Sequence, residues 1–288
     1  MVVSSFRVHV HVGTHCSGSE NFHRFLAANS REIGARGYDL ACPPKAALAD
    51  GAYAAAEASG IGLSMAERGT GERRGLIVSD REIGSQLDQL MKAHFYPGAS
   101  LRAAELRAAI GLPVDRLVLV VQPYDHLFLA AWQQFALGNV VGSFDDFVPA
   151  LSGFSGGWVE LVEDLRAGLE ARHVTVLAAP QESPVILSHL VPGLTLDAPR
   201  RPVQVLPVTN TAVAMAQRHL RLGGRFAPGQ RERLLAFHAR QPQVPKAPGF
   251  EGLRLADLRG RYVADLDSLS RMADVDVVGS PLQRMAAE

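Results

Sequence analysis

Apolar and β-branched residues concentrate in four short stretches, 7–12, 76–79, 116–122 and 174–178, and longer amphipathic patterns fill the intervals. Alternation of that kind predicts a parallel sheet covered by helices. Residues 19–34 place Phe22, Phe25, Leu26 and Ile33 on one stripe, and 46–59 are so rich in alanine that propensity alone favours a helix. Further on, 124–138 carry Leu127, Phe128, Ala131, Trp132 and Phe135, while 156–171 carry Trp158, Leu161, Val162, Leu165 and Leu169 on one face. Both are expected to pack on the sheet. The charged, Gly-rich run 67–75 reads as a surface loop.

Beyond Pro199 the strand signal fades into helical patterns at 208–222, 228–240 and 253–272, with a Pro-rich linker at 241–249. Gly223 and Gly224 fit the end of the first helix and Pro228 the opening turn of the second. The expected organisation is a three-layer α/β core over 1–200, with helices on both faces of a parallel sheet, and a helical C-terminal extension over 201–288.

Composition narrows the function classes. A chain of 288 residues with 47% hydrophobic content can bury one large core. Basic and acidic residues balance at 29 each, so no global field draws the chain to nucleic acid or an anionic membrane. The start MVVSSFRV lacks the basic and apolar regions of a signal peptide, and no run reaches the roughly 20 apolar residues of a membrane span. Two cysteines, Cys16 and Cys42, argue against a disulfide framework and fit a reducing compartment. A cytoplasmic protein is expected.

The most informative stretch is 6–26, FRVHVHVGTHCSGSENFHRFL, which reads as strand, Gly-bearing turn and amphipathic helix in succession. Free amides and the helix dipole make such a turn a natural anion site. Yet no Lys or Arg lies between Gly13 and His23. Ser17 and Glu20 also have capping-box spacing, which predicts that the Glu20 carboxylate occupies the place of a bound phosphate.

Residues 11–29, HVGTHCSGSENFHRFLAAN, resemble the opening of bacterial sulfotransferase-like proteins, whose phosphosulfate loop reads approximately H-I-G-x-H-K-T-G-T-T before a helix of the type L-Q-R-F-L-A-A-N. His11, Gly13, His15, Ser17, Gly18 and Ser19 fall on matching or conservatively changed positions. Cys16 stands where the family has a lysine and Glu20 where it has its second threonine. Weaker likeness continues through LIVSDREI at 76–83, FYPGA at 95–99 and the strand and helix of 117–139. There the family holds the donor's 3′-phosphate with an arginine and a serine; Gln122 and Ala130 replace them, or Val121 and Leu129 if the match slides by one residue.

The resemblance implies a sulfotransferase or P-loop NTPase-like fold and 3′-phosphoadenosine 5′-phosphosulfate as donor, with an unidentified hydroxyl or amine acceptor. It places Gly13, Thr14, Cys16, Ser17, Gly18, Ser19, Gln122 and Ala130 at the donor, and offers Glu82, Asp80 and His15 as candidate catalytic groups. Arg24, Arg68, Arg73, Arg74, Arg81 and Arg225 are the cations available to replace the lost contacts. The damaged positions equally imply a silent relative that binds a metabolite, carbohydrate or protein.

Other chemistries are weaker. Cys16 at a helix start could be a nucleophile, but the arginine of an H-C-x5-R loop is missing: Phe22 stands at that spacing. His9 and His11 alternate along one strand and could offer two imidazoles to a metal, although no second ligand group supports them. Asp80, Arg81 and Glu82 follow a strand end, the edge where parallel sheets place ligands. Asp125 and His126 are adjacent on a helix and point apart, which predicts a structural role.

Overall fold

The computed structural model describes residues 6–42, 73–80, 87–197, 199–201, 205–242 and 249–279. The expected helix at 46–59, with Arg68, Arg81 and Glu82, lies outside the described residues. Among the described residues six parallel strands form one sheet: β1 (Arg7–Val12), β2 (Tyr38–Ala41), β3 (Gly75–Asp80), β4 (Arg116–Val120), β5 (Val174–Leu177) and β6 (Val275–Val278), in the order β2-β3-β1-β4-β5-β6.

Period-two alternation sorts the strand side chains into two cores. Val8, Val10 and Val12 join Leu76, Val78, Leu117, Leu119, Val174 and Val176 on one face. The opposite face buries Ile77, Val118, Val120 and Leu177 against Phe22, Phe25, Leu26 and Ile33. His9 and His11 project to this second face. At the start of β3 only glycine fits: a Cβ on Gly75 would lie 2.3 Å from the Arg7 carbonyl.

Helices α1 (Ser19–Ala28), α2 (Ser30–Ala35) and α8 (Ser183–Leu190) cover the second face. The stripe predicted as one helix over 19–34 is broken at Asn29. That side chain is buried, and it donates to the Phe25 carbonyl at 2.7 Å and accepts from the Arg200 amide at 2.8 Å. The first face is covered by α3 (Leu87–Met91), α4 (Ala99–Ile110), α5 (Tyr124–Ala136), α6 (Phe144–Ser152), α7 (Trp158–Leu169) and α11 (Gly252–Ser270). Helices α9 (Asn210–Arg221) and α10 (Gln230–His238) follow outward from α5.

The segment after Pro199 is therefore not wholly helical: its last element, β6, returns to the sheet beside β5. α11 packs on α7, α5 and β6. Its attachment includes Tyr262, whose hydroxyl donates to the Ala178 carbonyl at 2.8 Å, and Arg259, which reaches the buried Asp125 at 3.2 Å. Asp125 thus ties α5 to α11 in a structural role, but the two neighbours do not point apart: Nε2 of the exposed His126 lies 3.7 Å from Asp125 Oδ2.

Candidate functional site

The turn between β1 and α1 sits at the carboxyl end of the central strand, between the ends of β3 and β4. Gly13 donates to the Asp80 carbonyl at 2.6 Å, which ties the turn to the end of β3. On the other side, the buried Thr14 hydroxyl donates to the Val120 carbonyl at 2.6 Å and anchors it to β4. Chain direction then reverses through Cys16 and Gly18, both left-handed at φ 59° and 88°. Space around Gly18 is open, so its requirement for glycine is conformational.

The hydroxyls at the base of the turn serve the turn itself. Ser17 Oγ donates to the Thr14 carbonyl at 2.8 Å, and Ser19 Oγ lies 2.7 Å from Ser17 Oγ. Both serines are buried. The predicted Ser17–Glu20 capping box does not form, because the cap residue is Gly18 and the helix begins at Ser19. Glu20 pairs along the helix with Arg24 at 3.0 Å. A left-handed cap moves the helix register one residue, and the carboxylate then finds a cation one turn ahead.

A ring of neutral contacts closes over the turn. Gln122 donates from Nε2 to the His15 carbonyl at 3.0 Å, and its own carbonyl accepts from Trp158 Nε1 at 3.1 Å. The His15 amide donates to the Tyr96 hydroxyl at 3.1 Å, and the two rings stack with centroids 5.6 Å apart. Tyr96 leans on Trp158 at 6.1 Å. Burial pushes the Tyr96 phenol above its ordinary range, opposed by the hydrogen bond from His15, so it stays protonated. Its oxygen lies 3.4 Å from His15 Nδ1.

The structure thus brings Gly13, Thr14, His15, Cys16, Ser17, Gly18, Ser19, Asp80 and Gln122 to one strand edge. Asp80 is buried at the end of β3; Cys16 is exposed at the tip. Ala130 sits half-buried on α5 and offers only a methyl group. Of the candidate cations, Arg24 is paired with Glu20, and Arg73 reaches the Gly34 carbonyl at 3.1 Å and Asp39 at 3.6 Å. Arg74 and Arg225 are exposed. Sequence reasoning missed Tyr96 as a site residue, although its FYPGA segment was the signal that could have found it.

His9 and His11 do share a face, under α1 and α8. His11 is fully buried, with Nδ1 3.0 Å from Ser79 Oγ and its ring edge-on to Phe22 at 4.6 Å. Burial lowers it to about 3 and His9 to about 4. Among the described residues no group of three His, Cys, Asp or Glu side chains is arranged to hold a metal ion. Likewise, no described helix is long and apolar enough to cross a membrane.

No protein-family model, curated protein or solved structure matches this chain.

Proposed function

We propose that this protein is a sulfotransferase-like α/β protein that does not use a phosphosulfate donor, and that it binds a metabolite, carbohydrate or protein partner through the cleft beside the turn. The sheet order, with β1 central and followed at once by turn and helix, supports the relationship. The observation that carries the loss of donor binding is Gln122. In one register of the resemblance it takes the place of the family's phosphate-binding arginine, with its amide occupied by the His15 carbonyl, and in the register shifted by one residue the apolar Val121 takes that place. Cys16 and Ala130 supply no charge or hydroxyl at the other two positions. The residues present therefore do not fit the donor.

Each lost charge-assisted hydrogen bond costs about 1.5 to 3 kcal/mol, so three together take a micromolar complex to about millimolar or weaker. Calorimetry with 3′-phosphoadenosine 5′-phosphosulfate is expected to give no saturable heat at micromolar concentrations. Micromolar binding refutes the proposal. One observation favours the alternative of a working transferase: Glu20 is turned to Arg24, leaving the first turn of α1 less acidic at its tip than the sequence implies. Radiolabelled sulfuryl transfer to a panel of hydroxyl and amine acceptors separates the two readings, since the silent relative transfers none.

A further inference from the structure

A second candidate region lies at the opposite pole of the sheet, where the strands begin. A cavity of about 340 Å³ there is lined by Arg7, His9, Asp115, Arg116, Arg172 and Pro192. Its composition follows from strand geometry. Arg7 and His9 are two apart on β1 and share a face, and His9 is in register with Arg116 on β4. Two guanidinium groups and an imidazole are therefore delivered to one side of two adjacent strands. Arg172 joins them from the turn before β5.

The charges do not cancel. Asp115 is the one carboxylate among the described residues of the lining, and both its oxygens are engaged: Oδ2 accepts from the Val8 amide at 2.8 Å and Oδ1 from Arg172 at 3.1 Å. Arg116 is steadied by the neutral Thr175 hydroxyl at 3.1 Å. Arg7 makes no ion pair among the described residues, and Asp276, the carboxylate that acts on Arg116 from a distance, is bonded to His173 at 2.8 Å. The carboxyl end of α8 adds partial negative charge beside Pro192, about half an elementary charge at most, against the charge of Arg7 and that of Arg116, which Asp276 offsets in part.

His9 is the second sign of a ligand. It is 4% exposed; the Leu190 carbonyl acts on the ring, yet neither nitrogen makes a hydrogen bond of ordinary geometry to a described residue. Buried polar groups are rarely left so, and an imidazole beside arginines on a cavity wall gains a partner when an oxyanion enters.

We infer that this cavity is a binding site for a small phosphate-class oxyanion, free or as the ester of a small metabolite, gripped by Arg7 and Arg116 with His9 as the neutral hydrogen-bonding group. The site is independent of the turn after β1 and does not rest on the reading of that turn. The volume exceeds that of a bare phosphate and leaves room for a short organic stem.

The test is a titration of the full chain with inorganic phosphate, and separately with glycerol 3-phosphate, at constant ionic strength set by chloride. Binding is followed through the His9 ring nitrogens and the backbone amides by NMR. Saturable change at His9 and Arg116 is the expected result; tighter binding of the ester assigns the stem space, and equal binding assigns free phosphate. Arg7→Gln with Arg116→Gln should weaken binding at least about a hundredfold, roughly tenfold or more per lost charge-assisted contact. A phosphate-dependent rise in Tm of the unmodified chain supports the same conclusion without any variant. Failure of both ligands to saturate overturns the inference, as does undiminished affinity in the double variant or saturation confined to residues 13–19.

Discussion

Lowering the pH from 7 to 5 should weaken this fold by about 4 kcal/mol through two histidines. His9 and His11 are buried on the α1 and α8 face, and burial is the main reason that each is neutral in the folded chain. For His11 the neighbouring His23 adds to the effect. Their folded values, about 4 and about 3, lie below the ordinary 6.5, so between those limits the unfolded chain binds more protons than the folded one. Stability is therefore fully present above 6.5 and is lost as the pH falls. At pH 5 each histidine contributes about 2 kcal/mol of loss, with a combined slope approaching 2.7 kcal/mol per pH unit. Below pH 4 the folded chain takes up a proton at His9 and the slope diminishes.

Urea unfolding followed by tryptophan fluorescence, at fixed ionic strength and half-unit pH steps, measures that slope directly. His11→Gln removes one of the two protons, so the slope should fall by about half even though the variant starts less stable. A loss of 4 kcal/mol is large against the usual 5 to 15 of a folded domain. A flat profile between pH 6 and 5, or an unchanged slope in the variant, would show that these imidazoles are solvated or paired in a way the structure does not contain.

Gln122→Ala removes the bond to the His15 carbonyl and should cost about 1 to 2 kcal/mol, read from the urea midpoint, with faster hydrogen exchange at 14–17. Tyr262→Phe leaves the Ala178 carbonyl without its 2.8 Å donor and should cost a similar amount; an unchanged midpoint contradicts the tie between α11 and the sheet. Iodoacetamide should alkylate the exposed Cys16 before the half-buried Cys42, as peptide mass mapping would reveal, and the reverse order would place the turn tip elsewhere.

The central strands were legible because each holds a concentrated run of buried apolar and β-branched residues: β1 falls at the predicted residues, and β3, β4 and β5 within two residues at each end. The edge strands were not. β2 (YDLA) and β6 (VDVV) are four residues long and each carries an aspartate, so neither makes an apolar run. α4 was missed because its packing face against α7 includes the small residues Ala99 and Ala103, which leave a faint stripe. In the turn, residue types were readable but partners were not. Ser17 and Glu20 satisfy capping-box spacing, and only the left-handed Gly18 decides that Glu20 meets Arg24 instead. Tyr96 reaches His15 across 81 residues of sequence, a contact no local pattern encodes.

The most direct measurement is a titration of the full chain with adenosine 3′,5′-bisphosphate, observed at the backbone amides of residues 13–19 and the side-chain amide of Gln122. No saturable shift is expected at micromolar ligand, with the Gln122 amide remaining on the His15 carbonyl, and a gain of binding is expected in Cys16→Lys with Glu20→Thr. Micromolar saturation in the unmodified chain, with the Gln122 resonance released from His15, contradicts it.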